Sequence, residues 1–277
     1  MPELPEVELI SRSLHTIVKG RTIASAELLR QRLAPDISFD DFAANLAAKT
    51  INFVHRRGKH ILIDLTDDKT LIVHLRMSGR FSLLQAEAKN PKFTHAVFHL
   101  ESGERLVFDD QRHFGLMKVV ATGDLHEARE LKKLAPEPFS AEFSVPYLTQ
   151  AVKSSKRSLK EFLLDQTKVC GLGNIYAAEA MFAAGLNPAK RTDKLSKISI
   201  SRLHASIVAV LNEAVSHAGT REVDPENLEG SYFSGLDDAG WFVYDREGKP
   251  CKNCETSILR LKQAGRSTYY CRKCQRG

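Results

Sequence analysis

Ile61-Leu62-Ile63-Asp64-Leu65-Thr66-Asp67-Asp68-Lys69-Thr70-Leu71-Ile72-Val73-His74-Leu75 decides the architecture of the first half of the chain. Ile61, Ile63 and Leu65 alternate with their neighbours, Leu71, Val73 and Leu75 alternate again, and the segment between them is made of turn residues. Successive side chains of a strand point to opposite faces, so this period predicts a β-hairpin with a buried face. The pattern recurs where Val97–Leu100 and Leu106–Phe108 flank Glu101-Ser102-Gly103-Glu104. Short strands joined by tight turns from about residue 21 to 122 predict an antiparallel sandwich or barrel.

Outward from the hairpins, helical spacing takes over. Residues 5–19 predict a helix, because Val7, Ile10, Leu14 and Ile17 recur at three- and four-residue steps. Pro5 suits its first turn, Glu6 and Glu8 stand where the helix dipole favours anions, and Gly20 stops it. Beyond Leu134-Ala135-Pro136-Glu137-Pro138 the spacing predicts helices near 145–153, 158–167, 174–184 and 199–217. From 220 to 240 Gly, Asp, Glu and Ser dominate without a period, which reads as a long mobile loop. Loops of that length inside compact proteins are often functional.

A length of 277 residues allows about two domains. The 43% hydrophobic and 27% charged residues are ordinary globular values. No run approaches the ~18 uninterrupted apolar residues of a membrane span. The start, Met1-Pro2-Glu3-Leu4-Pro5-Glu6, is acidic, unlike the basic and then apolar start of a signal peptide, so a cytoplasmic location is expected. The formal charge of +6 is concentrated at one end: nine Lys or Arg face only Glu247 and Glu255 from Arg246 to Gly277, a net of +7 there. Positive charge focused on a short segment suits a polyanion such as nucleic acid.

That basic segment contains Cys251-x2-Cys254 and Cys271-x2-Cys274, sixteen residues apart. Two such pairs supply four thiolates to one tetrahedral zinc. Two disulfides are the competing reading, but nothing in the sequence indicates an oxidising compartment. Four thiolates leave no open position, so the expected role is structural. Ile258–Lys262, a turn at Gln263-Ala264-Gly265-Arg266 and Ser267–Tyr270 would form a hairpin presenting Arg266 at its tip. Cys170 lies in an apolar context and reads as core.

Val169-Cys170-Gly171-Leu172-Gly173-Asn174 leads directly into the helix predicted from 174. Glycines before a helix let backbone N–H groups approach a phosphate, and Lys153, Lys156, Arg157, Lys160 and Lys168 add positive charge upstream. At the other end, loss of Met1 would expose the secondary amine of Pro2. An α-amine titrates near ~7.7–8.0 against ~10.4 for lysine, so far more of it is neutral at pH 7. A neutral amine can attack a sugar C1′ and form an iminium, and Glu3 and Glu6 could move protons or stabilise the cation. The plain alternative is a helix N-terminus with favourable acids.

Pro-Glu-Leu-Pro-Glu-Val-Glu from Pro2 to Glu8, the segments Lys160–Gln166, Gly171–Tyr176 and Ala184–Pro188, and the four-cysteine finger occur in this order over essentially the whole chain. In these motifs the chain resembles the bacterial formamidopyrimidine-DNA glycosylase (MutM, Fpg) family. The resemblance implies an α+β fold: an N-terminal antiparallel β-sandwich with flanking helices, a helix-two-turns-helix domain, and a zinc-finger β-hairpin, with two domains bracketing a DNA cleft. It implies boundaries at 1–133, 134–219, 220–245 for a lesion-capping loop and connector, and 246–277 for the finger. It also implies a monomeric bifunctional glycosylase and lyase acting on damaged double-stranded DNA, nucleoid-associated when bound, with one structural zinc, no organic cofactor and no membrane.

By the same resemblance Pro2 is the Schiff-base nucleophile, Glu3 the acid assisting sugar-ring opening and Glu6 a supporting carboxylate. Lys59 and Arg266 contact phosphates and assist elimination, with Lys156, Lys160, Asn174 and Tyr244 as further backbone contacts. Met77 would fill the void left by a flipped base, Arg112 would read the orphaned base and Phe114 would wedge beside it. Three departures stand out. Phe93 follows Lys92 where the family usually has His or Tyr, leaving His95 as the contact there; Asp245 replaces a glycine after Tyr244; and 220–240 fits the family pattern poorly. The competing functions are an endonuclease VIII-like enzyme for oxidised pyrimidines, a non-catalytic zinc protein that binds damaged DNA, and a zinc-ribbon adaptor between proteins.

Overall fold

The computed structural model describes residues 1–218 and 240–276. They fall into two compact units, Met1–Lys132 and Lys133–His217 with residues 240–276.

The first unit begins with α1 (Leu4–Val18), which buries Leu4, Val7, Ile10, Leu14 and Val18. β1 (Thr22–Leu28), α2 (Phe39–Leu46), β2 (Lys49–Arg57), β3 (His60–Leu65), β4 (Lys69–His74), β5 (Gly79–Leu84), β6 (Thr94–Leu100), β7 (Arg105–Asp110) and β8 (Leu116–Ala121) follow. The strands are joined by antiparallel pairs in the order β5-β7-β6-β1-β2-β3-β4-β8. Between β1 and β2 the pairing is short, Thr22 with Thr50 and Ile23 with Lys49. Two four-stranded halves are therefore hinged there, and they share one core. Ile61, Ile63, Leu71 and Val73 of one half, Phe81, Phe98 and Phe108 of the other, and Leu14 and Phe42 of the helices belong to it. The expected sandwich is thus one sheet folded on itself.

The β3–β4 hairpin forms in the expected register, with Ile61 opposite Val73 and Ile63 opposite Leu71. Its turn places Asp67 and Asp68 in the left-handed region, which aspartate tolerates better than most residues. Leu62 and Ile72 are buried as well, so the hairpin is covered on both faces. A two-sided burial explains why its sequence is nearly continuous in apolar residues.

The second unit holds α3 (Val145–Lys153), α4 (Leu159–Leu164), α5 (Asn174–Ala183) and α6 (Lys197–Ala218), then β9 (Leu259–Gln263) and β10 (Arg266–Tyr270). Ser158 starts α4 with a reciprocal cap: its hydroxyl accepts the Glu161 N–H while the Glu161 carboxylate accepts the Ser158 N–H. The helix stops earlier than its spacing predicts, because the Asp165 carboxylate takes the Thr167 N–H at 3.0 Å and its hydroxyl at 2.8 Å. α6 is apolar and long enough to suggest a spanning helix by composition. Its Ile200, Leu203, Ile207 and Leu211 instead form one buried stripe, and His204 stacks on Phe143, the pattern of an amphipathic core helix.

Candidate active site and nucleic-acid interface

In the first unit the chain start is built into the fold. Pro2, Glu3 and Glu6 are buried, although each of these carboxylates would be better solvated outside. Glu6 lies one turn into α1, and its Oε2 accepts the backbone N–H of Glu3 at 2.7 Å. That bond fixes the backbone next to Pro2 and satisfies an N–H that the helix leaves free. The positive end of the α1 dipole lies at the same place.

Lys59 sits in the β2–β3 turn after Gly58, whose φ of 58° is open to glycine, and is buried to 6% exposure. Beside it His60 and His74 pair across β3 and β4, their rings edge to face at 4.6 Å. Burial, reinforced by the charges of Arg76, Arg57 and Lys59, pushes His60 down to about 4. Burial likewise takes His74 to about 2, with His60, Arg76 and Lys59 adding to it. Both imidazoles are therefore neutral at physiological pH, and His74 Nδ1 accepts the Arg76 N–H at 3.0 Å.

Two loops of this unit carry Met77 and the Arg112–Phe114 pair. Met77 is 39% and Phe114 45% exposed, high for such apolar side chains. The Arg112 and Arg32 guanidinium groups each lie 5.5 Å from the Phe114 ring centre. His113, between Arg112 and Phe114, has a φ of 57° and takes up the ring of His95, Nδ1 to Nε2 at 2.9 Å.

In the second unit a glycine turn enters α5. The Gln166 side chain closes it, accepting the Gly171 N–H at 2.9 Å and donating to the Leu172 carbonyl at 2.8 Å. Asn174 Nδ2 donates to the Ser267 carbonyl at 3.0 Å, tying the helix start to the residue after Arg266. The β9–β10 turn has Ala264 and Gly265 both at positive φ with Gln263 paired to Arg266, a two-residue turn suited to strand twist. Arg266 is exposed at its end, and no carboxylate among the described residues pairs with it. Glu179 of α5 is 4% exposed, and its carboxylate accepts the backbone N–H groups of Phe242, Val243 and Tyr244 at 2.8–2.9 Å.

The four cysteine sulfurs lie within 4.8 Å of one another, with Cys251 to Cys274 at 3.8 Å and Cys254 to Cys271 at 3.5 Å. A tetrahedron of Zn–S bonds of about 2.3 Å has edges of about 3.8 Å, so the donor set fits. Cys271 N–H bonds to Gln275 Oε1, and Gln275 Nε2 to the Leu186 carbonyl, which secures the finger to the rest of its unit.

Residues 1–117 match the Formamidopyrimidine-DNA glycosylase N-terminal domain, 134–224 the Formamidopyrimidine-DNA glycosylase H2TH domain, and 248–277 the zinc finger found in FPG and IleRS. The chain belongs to the formamidopyrimidine-DNA glycosylase family. A Desulforamulus reducens protein named formamidopyrimidine-DNA glycosylase is 39% identical over 280 residues, covering 100% of this chain and 99% of that one. Lactococcus lactis Fpg (MutM) in complex with DNA containing N7-benzyl-Fapy-dG superposes with a TM-score of 0.91 at 33% identity, each chain covered completely. The same protein with DNA containing an oxidised pyrimidine gives 0.90 at 33% identity, again over both whole chains. Membership makes this chain a DNA glycosylase of base excision repair whose four cysteines hold one structural zinc.

Within this family framework two of the expected DNA contacts, Lys160 and His95, are buried. Lys160 has no exposed surface; its ammonium points at the Asn174 carbonyl, 3.3 Å away, inside the helical turn. His95 is 2% exposed and lies against His113, which is the ring that faces outward. A charged or aromatic letter says nothing about burial, and beside His95 it is His113 that reaches the surface. Lys156 is exposed and Tyr244 half-buried, its ring edge-on to Tyr269 at 5.4 Å.

Two departures from the family pattern acquire physical reasons. Asp245 has a φ of 54°, the conformation that explains a glycine at this position elsewhere, and its carboxylate accepts the Tyr269 hydroxyl at 3.1 Å. Phe93 packs edge-on to His113 at 6.0 Å, with the Lys92 ammonium 5.4 Å over its ring. The third, the expected loop of 220–240, lies outside the described residues except at Gly240. His60, His74, Ser78, Asp110 and Glu179 carry much of this geometry and were not singled out from sequence. Asp110 stood inside the motif with Arg112 and Phe114, and an acid opening a turn is a signal for such a role.

Proposed function

We propose that the chain excises oxidised purines, 8-oxoguanine and formamidopyrimidines, from duplex DNA and then cuts the strand, with Pro2 as nucleophile once Met1 is removed. The observation that supports this reading is the Glu6–Glu3 hydrogen bond at 2.7 Å, which holds the backbone beside Pro2 in a buried acidic setting. A proton-transfer residue is useful only if it is fixed relative to the atom it serves.

In this mechanism the Pro2 nitrogen bonds to C1′ of the extruded nucleotide as the bond from C1′ to the base breaks, and the proton lost by Pro2 neutralises the departing base. Glu3 donates a proton to the ring oxygen O4′, the sugar opens, and a cationic iminium forms between Pro2 and C1′. Loss of a C2′ proton then expels the 3′ phosphate, a second elimination expels the 5′ phosphate, and hydrolysis releases Pro2. Met77, Arg112 and Phe114 fill the gap and read the orphaned base. Lys59, Lys156, Asn174, Tyr244 and Arg266 hold phosphates, whose charge dominates affinity for DNA. We assign 1–133 to catalysis, 134–219 and 246–277 to DNA binding, and 220–245 to a lesion-capping connector. The protein works as a monomer in the cytoplasm, on the nucleoid.

Borohydride trapping on a duplex with 8-oxoguanine opposite cytosine, followed by peptide mass spectrometry, tests this reading. An adduct on Pro2 with Met1 absent is expected. Absence of an adduct there, with one on an oxidised-pyrimidine duplex, would move the enzyme to the endonuclease VIII-like specificity. Absence on both, with retained binding to damaged DNA, would leave a binding protein.

A further inference from the structure

Asp110 ends β7, has no exposed surface, and spends its carboxylate entirely on two loops. Its Oδ1 accepts the Ser78 hydroxyl at 2.5 Å and the Arg112 N–H at 3.2 Å. Its Oδ2 accepts the N–H groups of Phe114 and Gly115, both at 2.7 Å. Ser78, the neighbour of Met77, accepts the Arg112 N–H as well, at 3.0 Å. One buried carboxylate and one hydroxyl thus join the loop that bears Met77 to the loop that bears Arg112 and Phe114.

The two loops hold unusual backbone. Arg76 and His113, next to these side chains, both lie in the left-handed region, with φ of 56° and 57°. Such conformations in residues other than glycine persist only where the surroundings over-determine them. The loops also close on one ring. A Cβ on Gly79 would meet the Leu75 carbonyl at 2.6 Å and Phe108 Cζ at 2.7 Å, and a Cβ on Gly115 would meet Phe108 at 2.9 Å. Burial acts to raise the Asp110 carboxyl, but the bonds from Ser78, Gly115, Arg112 and Phe114 outweigh it and hold it below its ordinary value. It is an acceptor with no proton to give, which is what four donors require.

We propose that Asp110, acting with Ser78, is a positioning residue that holds Met77, Arg112 and Phe114 as one preformed probe before DNA arrives. The inference rests on the assignment of those three side chains to the gap left by the flipped base. A probe ordered in advance loses little conformational freedom when it enters the stack, so base extrusion and reading of the opposite base gain from it. Chemistry at Pro2 on a substrate that needs no extrusion gains nothing.

Asp110→Asn and Ser78→Ala separate these consequences. Asparagine presents an N–H₂ to one set of donors, whereas Ser78→Ala leaves the bonds of Asp110 to the second loop in place and preserves the fold. Three rates are compared by single turnover in zinc-loaded, full-length protein: excision of 8-oxoguanine opposite cytosine, excision opposite adenine, and borohydride trapping on a single-stranded abasic oligonucleotide. Stopped-flow 2-aminopurine fluorescence beside the lesion follows insertion. Both variants are expected to lower the ratio of duplex excision to single-strand trapping by about tenfold or more, and to narrow the cytosine-to-adenine ratio. Loss of a fold alone would lower all rates together and leave the opposite-base ratio unchanged. Wild-type insertion and wild-type ratios in both folded variants would overturn the inference. Arg112→Ala and Phe114→Ala serve as the reference: if they too insert and discriminate like wild type, the probe assignment itself fails.

Discussion

The neutral His60–His74 pair makes the first unit sensitive to acid at a pH where Asp64 and Asp110 are not. An ordinary histidine titrates at 6.5, and the folded values are about 4 for His60 and about 2 for His74, burial being the main cause of each. Both groups are bases depressed by folding. Above pH 6.5 they are neutral in either state and cost nothing. Below it the unfolded chain binds a proton at each while the folded one refuses, so stability falls with pH. At pH 5 the folded pair is still essentially uncharged, and the cost depends only on the distance from 6.5. At about 1.4 kcal/mol per pH unit, each histidine removes about 2 kcal/mol and the pair about 4 kcal/mol. Asp64 and Asp110, held below their ordinary 3.8, keep their full contribution down to that range and cannot offset the loss. His95, lowered chiefly by burial, acts in the same direction. Hydrogen exchange on peptides from β3 and β4, corrected for intrinsic rates, should show the opening free energy falling by about 4 kcal/mol between pH 7.5 and 5. In His60→Gln/His74→Gln the absolute stability drops at every pH, but most of the pH dependence disappears. A flat profile in the wild type, or imidazole resonances for either residue with a midpoint near 6.5, would refute the reasoning.

Other perturbations report on the remaining parts. Glu6→Ala leaves the buried Glu3 N–H without its acceptor, which costs about 1–3 kcal/mol, and should slow single-turnover excision about tenfold or more in a rapid-quench assay. Unchanged excision would detach Glu6 from the chemistry. Glu179→Ala orphans three backbone N–H groups and should destabilise the second unit by about 3–5 kcal/mol, read in urea from Trp241, the only tryptophan. Chelation at moderately acid pH should release one zinc per chain in a dye assay and abolish strand cleavage, while exchange in β3 and β4 matches that of the zinc-loaded protein at the same pH; no released zinc would contradict the four-thiolate site.

Legibility in the sequence followed the range of the interaction. The α1 stripe, the β3–β4 hairpin, the Cys-x-x-Cys knuckles and the Ala264-Gly265 turn are local patterns, and each is present as read. Burial of a charged residue is not local. Lys160 and His95 carry the same letters as surface contacts, and only packing reveals that one is turned to the Asn174 carbonyl and the other to the His113 ring. Asp245 shows the intermediate case, since the glycine it replaces already marks a left-handed backbone, while its Tyr269 partner is 24 residues away.

The contrast extends to the sign of charge. Of the basic residues that sequence singles out for phosphate contact, Lys156 and Arg266 stand exposed, whereas Lys59 and Lys160 are buried. The acids that fix the functional backbone are buried. Glu6 holds the Glu3 N–H, Asp110 the loop of Arg112 and Phe114, and Glu179 the segment of Tyr244. Asp110 reaches Ser78 across 32 positions and Glu179 reaches Tyr244 across 65, so no motif contains either pair. The arrangement follows from the ligand. An acid displayed at a phosphate-binding surface would repel the backbone it must bind, whereas a carboxylate withdrawn beneath it can accept several N–H groups strongly without adding to the surface charge DNA meets. In this chain the exposed basic residues can be read from sequence, whereas the long-range partners of Asp110 and Glu179 cannot.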